Sequence, residues 1–206
     1  MKIFEIEGNV RKLIMEEVQS TMNPSYLEFY NNGEMHKQVK KETSARIVSI
    51  FDNPKITREL MGNPDTYYGD LKIFCENNRA RNDFNIIWLD YHLRYNSAIE
   101  EDLQTLLLIM KEKGTLYITL LDEKEFKKED DPGGKFSEAA MFYMICEYFA
   151  KRGIEVNMEC KIKDLNASTW KEREKLATYK FTWVKREGVL EVFITLEGIV
   201  GTKIKK

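Results

Sequence analysis

Residues 84–95 read FNIIWLDYHLRY, and the apolar run within them ends abruptly on an acid. Ile86–Leu89 are all apolar, Asp90 follows directly, and Ser97 opens a segment with helical spacing. A short continuous apolar run is typical of a strand that is buried on both faces. In an open α/β sheet, ligands bind beyond the carboxyl ends of such strands. The stretch therefore predicts a central strand with Asp90 at a ligand crevice.

The chain on either side of this run alternates between strand and helix signals. Asn9 is a candidate helix cap, and the segment from Ser97 carries a capping box, an apolar stripe and a closing Gly114. The acids Glu100–Asp102 are interpreted as residues favoured near that helix's amino terminus. Strands are predicted at 26–30, 45–51, 66–68, 84–90 and 115–121, and helices at 10–22, 34–42, 56–61, 71–81, 97–113 and 137–152. This alternation predicts a mostly parallel sheet with helices on both faces.

Beyond Gly153 the pattern changes. Residues 155–163 alternate between apolar and polar side chains, as in a half-exposed strand. Two further strands, at 177–186 and 190–200, are predicted to form a hairpin joined by Glu187–Gly188. That hairpin could extend the sheet or pair with a second copy of the chain. The predicted fold class is therefore α/β with antiparallel strands at the carboxyl end.

The composition indicates a globular protein with a heavily charged surface. Of the 206 residues, 43% are hydrophobic and 32% are charged, against roughly 25% charged in an average domain. This length suits one domain over 1–206, with an amino-terminal helix in 1–23 and the antiparallel extension in 154–206. The formal net charge is −2, yet from Lys161 onward 11 Lys and Arg face 6 Asp and Glu. That basic region could face nucleic acid or form a solvated surface.

The cysteines and histidines do not form a recognisable metal or disulfide pattern. Cys75, Cys146 and Cys160 lie far apart, and the chain has only 2 His. The sequence shows neither a signal-peptide pattern nor an apolar run of about 18 residues. A cytoplasmic protein that does not span the membrane is expected.

Five of the predicted strands end at or beside an acid, namely Glu28, Asp52, Asp70, Asp90 and Asp122. The carboxyl ends of parallel strands meet at one edge of a doubly wound sheet, so these side chains are expected to surround one crevice. Carboxylates accept hydrogen bonds from hydroxyl and amino groups, which suits a ribose or an adenine amino group and disfavours a bare phosphate. Taken singly, each acid could also be a turn residue or a helix cap.

Sequence motifs of several other enzyme classes are absent. The chain contains neither G-x-x-x-x-G-K-[ST] nor G-x-G-x-x-G, which disfavours a kinase, an ATPase or an ordinary dinucleotide oxidoreductase. It also lacks the G-x-S-x-G elbow that supplies the nucleophile in acyl-transfer hydrolases.

The order of motifs resembles that of the class I S-adenosylmethionine-dependent methyltransferases over residues 24–200. The best segment is IIWLDYH followed by EEDLQTLLLIMKEKGTLYITLL, which is similar to the family's fourth motif, its helix and its fifth strand. The resemblance implies a Rossmann-like, doubly wound sheet of seven strands with the last strand antiparallel. It also implies S-adenosylmethionine as the cofactor and partner.

The same resemblance assigns cofactor-binding roles to five residues. Glu28 and Gly33 would stand in the first motif. Asp52 would receive the ribose hydroxyls, and Asp70 with Leu71 would border the adenine. Members of the family usually carry two or three glycines in the first motif, whereas EFYNNGE offers one.

Three consecutive residues after the central strand are the catalytic candidates. By resemblance, Asp90 and Tyr91 would lie beside the methyl group and its acceptor. Asp90 could accept a hydrogen bond or a proton from the acceptor, and Tyr91 could stack on a flat substrate. His92, the one imidazole near them in sequence, is either catalytic or a hydrogen-bonded structural residue.

Two hypotheses about function follow. In the first, the chain is an S-adenosylmethionine-dependent methyltransferase, with nucleic acid favoured slightly over protein as acceptor because of the basic carboxyl-terminal region. In the second, a methyltransferase-like fold has lost its cofactor site and serves as a binding or assembly module. Bulky side chains of Phe29 or Tyr30 pointing into the space beside Gly33 would favour the second hypothesis.

Overall fold

The computed structural model describes residues 5–30, 33–52, 60, 62–79, 83–91, 93–121, 138–164, 176–186, 191–195 and 198–203. Strands and helices alternate through most of these ranges, as predicted. In chain order they are β1 (Glu5–Gly8), α1 (Val10–Ser20), β2 (Ser25–Phe29), α2 (Glu34–Glu42), β3 (Arg46–Phe51), β4 (Thr66–Tyr68), α3 (Leu71–Asn78), β5 (Phe84–Asp90), α4 (Ser97–Leu106), β6 (Met110–Leu121), α5 (Glu138–Ala150), β7 (Ile154–Asp164), β8 (Leu176–Lys185), β9 (Glu191–Thr195) and β10 (Gly198–Lys203).

The main sheet of the described chain has the order β1-β7-β8-β6-β5-β2-β3-β4. Neighbouring strands are parallel except around β8, which runs antiparallel to both β6 and β7. The strands from β4 to β7 in this order form the predicted seven-stranded, Rossmann-like sheet. Strand β1 adds an eighth strand at the edge, parallel to β7, which the sequence interpretation missed.

Strand β5 lies inside the sheet, and both of its faces are buried. Ile86 and Trp88 pack in the core that α1 and α2 cover. Ile87 and Leu89 pack in the opposite core, which α3, α4 and α5 cover. Side chains alternate across a strand, so a strand covered by helices on both faces must be apolar at nearly every position. Only Asp90, at its carboxyl end, is partly exposed.

The carboxyl-terminal strands pair differently from the prediction. Strand β8 does not form a hairpin with the strand that follows it; it inserts between β6 and β7. Strands β9 and β10 pair with each other instead, with Ile194 opposite Ile199. Burial explains the difference, because Phe181 and Trp183 on β8 are almost fully buried in the core. A peripheral hairpin would have left these two rings exposed to water.

Helix α4 begins and ends differently from the prediction. Its N-cap is Asn96, whose side chain accepts hydrogen bonds from the first backbone N–H groups of the helix, and not Ser97. The helix ends at Leu106, and Met110 already belongs to β6. Gly114 therefore lies inside a strand and does not close a helix. The predicted end of the helix was wrong because the apolar stripe continues from the helix into the strand.

None of the described helices has the length and apolar character that crossing a membrane requires. Asp122 and nearly all of the predicted helix at 56–61 lie outside the described residues.

Candidate functional site

A cleft of about 550 Å³ opens at the carboxyl ends of β2, β3, β4 and β5. Five of the predicted site residues line it, namely Asp52, Asp70, Leu71, Asp90 and Tyr91. They lie at or just after the carboxyl ends of three different strands. A parallel sheet brings such positions together because all of its strands end at the same edge.

Asp52 and Asp70 have different roles in the cleft wall. Asp52 directly follows β3 and is exposed. Asp70 is the N-cap of α3, and its Oδ1 accepts hydrogen bonds from the backbone N–H groups of Lys72 at 2.7 Å and Ile73 at 3.4 Å. Leu71, the first residue of that helix, is buried. Asp70 thus has a structural task as a helix cap, whereas Asp52 is a solvent-exposed acceptor.

Tyr91 is held in place at the end of β5. Its backbone N–H donates to the carbonyl of Thr119 at 3.1 Å. Its ring meets that of Phe29 edge to face, with centroids 5.1 Å apart. Its hydroxyl donates to Oδ2 of Asp102 at 2.9 Å. These contacts fix the position and the tilt of the Tyr91 ring.

Asp102, on α4, is a cleft residue that the sequence interpretation missed. Burial raises the pKa of its carboxyl to about 6, against the lowering effect of the hydrogen bond from Tyr91. The position of Asp102 around the helix could have identified it from the sequence. Asp102 lies three residues after Ile99 and four before Leu106, both of which are buried, so it shares their side of the helix. Its neighbour Glu101 lies on the exposed side.

Glu28 is turned into the protein and does not line the cleft. It is 2% exposed, and its two oxygens accept hydrogen bonds from the hydroxyls of Tyr26 and Ser49, each at 2.8 Å. Because Ser49 gives its proton to Glu28, it accepts from Nδ1 of His36 at 2.7 Å. Burial raises the pKa of Glu28 to about 7, against the lowering effect of the two hydrogen bonds. Burial also lowers the pKa of His36.

The pH dependence of stability tests this buried network. The pKa of Glu28 is about 7 in the folded chain against 4.5 for the ordinary carboxyl, so the folded state keeps a proton that the unfolded state releases. The stabilising contribution is therefore full below the unfolded pKa and is lost as the pH rises through the folded one. We expect the free energy of unfolding, relative to Glu28→Gln, to fall by on the order of 1–2 kcal/mol from about pH 5.5 to about pH 7.5.

Urea unfolding of both proteins at several pH values measures this difference. Asp102 lies outside this network and titrates in both proteins, so its contribution cancels in the difference. A difference that stays constant over the range would contradict the raised pKa.

Gly33 lies against the side chain of Tyr30. Its φ is +70°, a left-handed conformation, at the N-cap of α2. A Cβ at this position would stand 2.2 Å from Oη of Tyr30, so a side chain there would collide with the phenol. The Tyr30 ring packs near those of His36 and Phe51, with centroids 5.6 and 6.2 Å away, and it lines the cleft. The single glycine of EFYNNGE thus makes room for a tyrosine of the same chain.

Among the described residues, other candidates for chemistry near the cleft are few. His92 lies outside the described residues, so its role stays a prediction. Trp88 packs inside the sheet and donates from Nε1 to Oγ1 of Thr119 at 2.9 Å. Among the side chains that the structure describes, no group of three His, Cys, Asp or Glu could hold a metal ion.

Comparison with known proteins identifies the fold. No protein-family model and no curated protein sequence matches the chain. Solved structures do match. TYW2 of M. jannaschii in complex with AdoMet is 13% identical with a TM-score of 0.55, over 85% of this chain and 74% of that one. A SAM-dependent methyltransferase from Archaeoglobus fulgidus is 13% identical with a TM-score of 0.52, over 84% and 94%.

TYW2 of P. horikoshii in complex with MeSAdo is 13% identical with a TM-score of 0.53, over 85% of this chain. The present chain covers 62% of that protein, which is less than two thirds of its length. At these identities the likeness shows the fold. The chain has the class I methyltransferase fold, as the order of its motifs predicted.

Proposed function

We propose that the chain is an S-adenosylmethionine-dependent methyltransferase that binds its cofactor in the cleft. One observation carries the proposal: Asp52, Asp70 with Leu71, and Asp90 with Tyr91 lie at or just after the ends of three parallel strands and line a single cleft. Proteins of the same fold support it, because TYW2 of M. jannaschii was solved in complex with AdoMet.

The cleft suits this cofactor in size and in chemistry. Its volume of about 550 Å³ falls within the roughly 300–1,000 Å³ of ordinary small-molecule sites. We assign Asp52 to the ribose hydroxyls, because two neighbouring hydroxyl donors need an acceptor such as a carboxylate. We assign Asp70 and Leu71 to the adenine, which offers an amino group at its edge and apolar faces.

We assign the two first-motif residues to the support of the cleft. Glu28 orders Ser49 and Tyr26 through hydrogen bonds inside the sheet. Gly33 admits the phenol of Tyr30 at the start of α2. Both residues therefore act through their neighbours, and neither needs to contact the cofactor.

At the other end of the cleft the chain must align an acceptor and receive its proton. The bound cofactor supplies a methyl group activated by its sulfonium. We assign Asp90 to accept a hydrogen bond or the proton of the acceptor, and Tyr91 to pack against it. The contacts of Tyr91 with Asp102 and Thr119 hold that ring in one orientation. His92 is a further candidate at the same strand end.

Four of the eleven Lys and Arg residues from Lys161 onward have side chains that the structure describes, and these four do not support a nucleic-acid acceptor. Lys161 is 1% exposed, and Lys185 donates to a backbone carbonyl. Lys180 and Arg186 form ion pairs with glutamates of this chain. Where the structure describes side chains in 161–206, the Lys and Arg residues are thus engaged within the protein.

A second candidate function is a binding or assembly module without a cofactor. The observation that favours it is the Tyr30 side chain, which fills the space directly against Gly33. Calorimetric titration with S-adenosylmethionine and S-adenosylhomocysteine separates the two candidates.

We expect both ligands to bind one per chain with dissociation constants of about 1–100 µM. ATP is the matched control, because it carries the same adenosine on phosphates that the carboxylates of the cleft repel. The absence of binding for both ligands over a range of pH and salt would overturn the methyltransferase proposal in favour of the module.

A further inference from the structure

Asp102 is an acid on the side of helix α4 that packs into the core. Ile99, Leu103 and Leu106 of the same helix are each at most 1% exposed. Burial raises the pKa of the Asp102 carboxyl to about 6, so its ionised form is disfavoured at this position. A carboxyl that burial perturbs in this way inside a cleft is a candidate functional residue. The packing of α4 alone does not account for it.

The usual structural tasks of an acid on a helix do not account for Asp102 either. It is the sixth residue of α4 (Ser97–Leu106) and lies beyond the first turn, where an acid would stabilise the positive end of the helix. The cap is already provided by Asn96. Helices α3 and α4 are joined by a separate ion pair, between Lys72 and Glu101 at 3.3 Å.

The hydrogen bond from Tyr91 gives Asp102 a different task. The Tyr91 hydroxyl donates to Oδ2 of Asp102 at 2.9 Å, across 11 residues of sequence and in a partly buried position. Hydrogen bonds to an ionised acceptor are about twice as strong as those between neutral groups. Burial and the neighbouring carboxylate raise the pKa of the Tyr91 hydroxyl well above its ordinary value. The hydroxyl therefore stays protonated and directed at Asp102, and it does not serve a ligand as an acid or a base.

Tyr91 consequently meets a ligand with its ring. The residue is half-buried and lines the cleft. Phe29 supports the ring edge to face, with centroids 5.1 Å apart, and the bond to Asp102 holds the far end of the same side chain. A ligand that binds against a side chain which is already held does not have to immobilise it, and this saves binding free energy.

We propose that Asp102 is a positioning residue of the cleft, which accepts the Tyr91 hydroxyl and so holds the Tyr91 ring in the orientation that a bound ligand meets. This inference rests on the proposed function, in which Tyr91 lies beside the methyl-bearing end of the cofactor. It adds a residue that acts through Tyr91 and not on the ligand. Without the bond to Asp102, the ligand must immobilise the ring as it binds, and its affinity falls.

Calorimetric titration with S-adenosylhomocysteine tests the proposal. The ammonium and the carboxylate of this ligand cancel in charge, so the loss of a charge at position 102 has little direct effect on it. At about pH 7.5 we expect Asp102→Ala and Tyr91→Phe each to bind about ten-fold more weakly than the wild type. Asp102→Asn keeps an acceptor oxygen and should bind only about three-fold more weakly.

A double variant separates positioning from a direct contact of Asp102 with the ligand. Once the hydroxyl is absent, loss of the carboxyl has no further effect if Asp102 acts only through Tyr91. Tyr91→Phe combined with Asp102→Ala should therefore bind about ten-fold more weakly, as either single variant does. A loss of about a hundred-fold, the product of the two, would show that the residues act independently and would overturn the inference.

Controls keep this comparison interpretable. Glu101→Ala removes the same charge from the neighbouring position of α4, which is exposed and outside the cleft, and should stay within about two-fold of the wild type. Urea unfolding shows whether each variant is folded. If Asp102→Ala does not fold, Asp102→Asn takes its place in the double variant with Tyr91→Phe, because both substitutions keep the shape of the side chain.

The pH profile is a second readout, which a general loss of structure would not move. Below about pH 6 the carboxyl of Asp102 becomes protonated and offers Tyr91 a neutral acceptor, as the amide of Asp102→Asn does at every pH. The wild type should therefore bind about three-fold tighter than Asp102→Asn at about pH 7.5 and equally at about pH 5. The other titratable groups that face Asp102 are the same in both proteins, namely Tyr91 after β5, Asp70, Lys72 and Cys75 at α3, and Glu101 on α4.

The outcomes separate this inference from the function on which it rests. If the wild type does not bind S-adenosylhomocysteine, the proposed function is overturned and the inference with it. If the wild type binds the ligand, but Asp102→Ala binds it equally well, the inference is overturned and the methyltransferase proposal stands. A constant ratio of affinities between the wild type and Asp102→Asn from about pH 5 to about pH 7.5 would also overturn the inference.

Discussion

Replacing Gly114 by alanine is expected to lower the free energy of unfolding by about 3 kcal/mol. A Cβ at this position would lie 2.1 Å from the carbonyl oxygen of Asn85 and 2.5 Å from Cζ2 of Trp183. Trp183 is 2% exposed, and its Nε1 donates to the carbonyl of Lys111 at 3.0 Å, so the ring cannot withdraw without losing this partly buried hydrogen bond. The backbone of β5 cannot withdraw without disturbing the centre of the sheet.

Urea unfolding followed by tryptophan fluorescence measures this loss. Gly8→Ala is the matched control, because a Cβ on Gly8 would make only ordinary contacts, at 3.4 Å with Leu13 and 3.8 Å with Ile162. We expect that variant to stay within about 1 kcal/mol of the wild type. Equal losses for the two variants would contradict the steric explanation.

Gly114 also shows where local sequence stops being informative. A glycine after an apolar stripe is a common helix ending, and this is what the spacing predicts for Gly114. The structural reason for the glycine is instead the ring of Trp183, which lies directly opposite it on β8. No residue near Gly114 in the sequence indicates that Trp183 will pack against it. The contact depends on β8 inserting beside β6, which is a long-range event.

The features that were predicted correctly depend on local pattern or on general topology. The run Ile86–Leu89 identified a strand buried on both faces, because burial on both faces needs continuous apolar character. Asp52, Asp70 and Asp90 were placed together because parallel strands end at a common edge. Neither inference needed knowledge of which strands are neighbours.

The features that were missed depend on side-chain direction and strand partners. Glu28 stands in the row of strand-end acids, yet its position on β2 directs it to the α2 side, where Ser49 and Tyr26 bind it. Asp102 reaches the cleft because α4 turns it toward Tyr91. The alternation of a strand and the phase of a helix contain this information only once the packing face is known.

Replacing Asp52 by alanine is expected to weaken the binding of S-adenosylhomocysteine about a hundred-fold, or by about 2.7 kcal/mol of binding free energy. Asp52 is the exposed carboxylate that directly follows β3 in the cleft wall, and two ribose hydroxyls donating to one charged acceptor account for a loss of this size. Asp52→Asn keeps an acceptor oxygen and loses the charge, so we expect an intermediate loss of about ten-fold. Calorimetric titration of the three proteins measures the series.

Glu112→Ala controls for the change in net charge, because Glu112 is exposed on β6 and lies outside the cleft. It should bind the ligand as the wild type does. The graded series distinguishes a direct contact from general electrostatic attraction, since attraction alone would make the alanine and asparagine variants equal. If Asp52→Ala bound S-adenosylhomocysteine with unchanged affinity, the ribose contact would have to be assigned to another acid of the cleft wall. Binding by the wild type would then still support the methyltransferase proposal, because only the assignment of Asp52 depends on the variant.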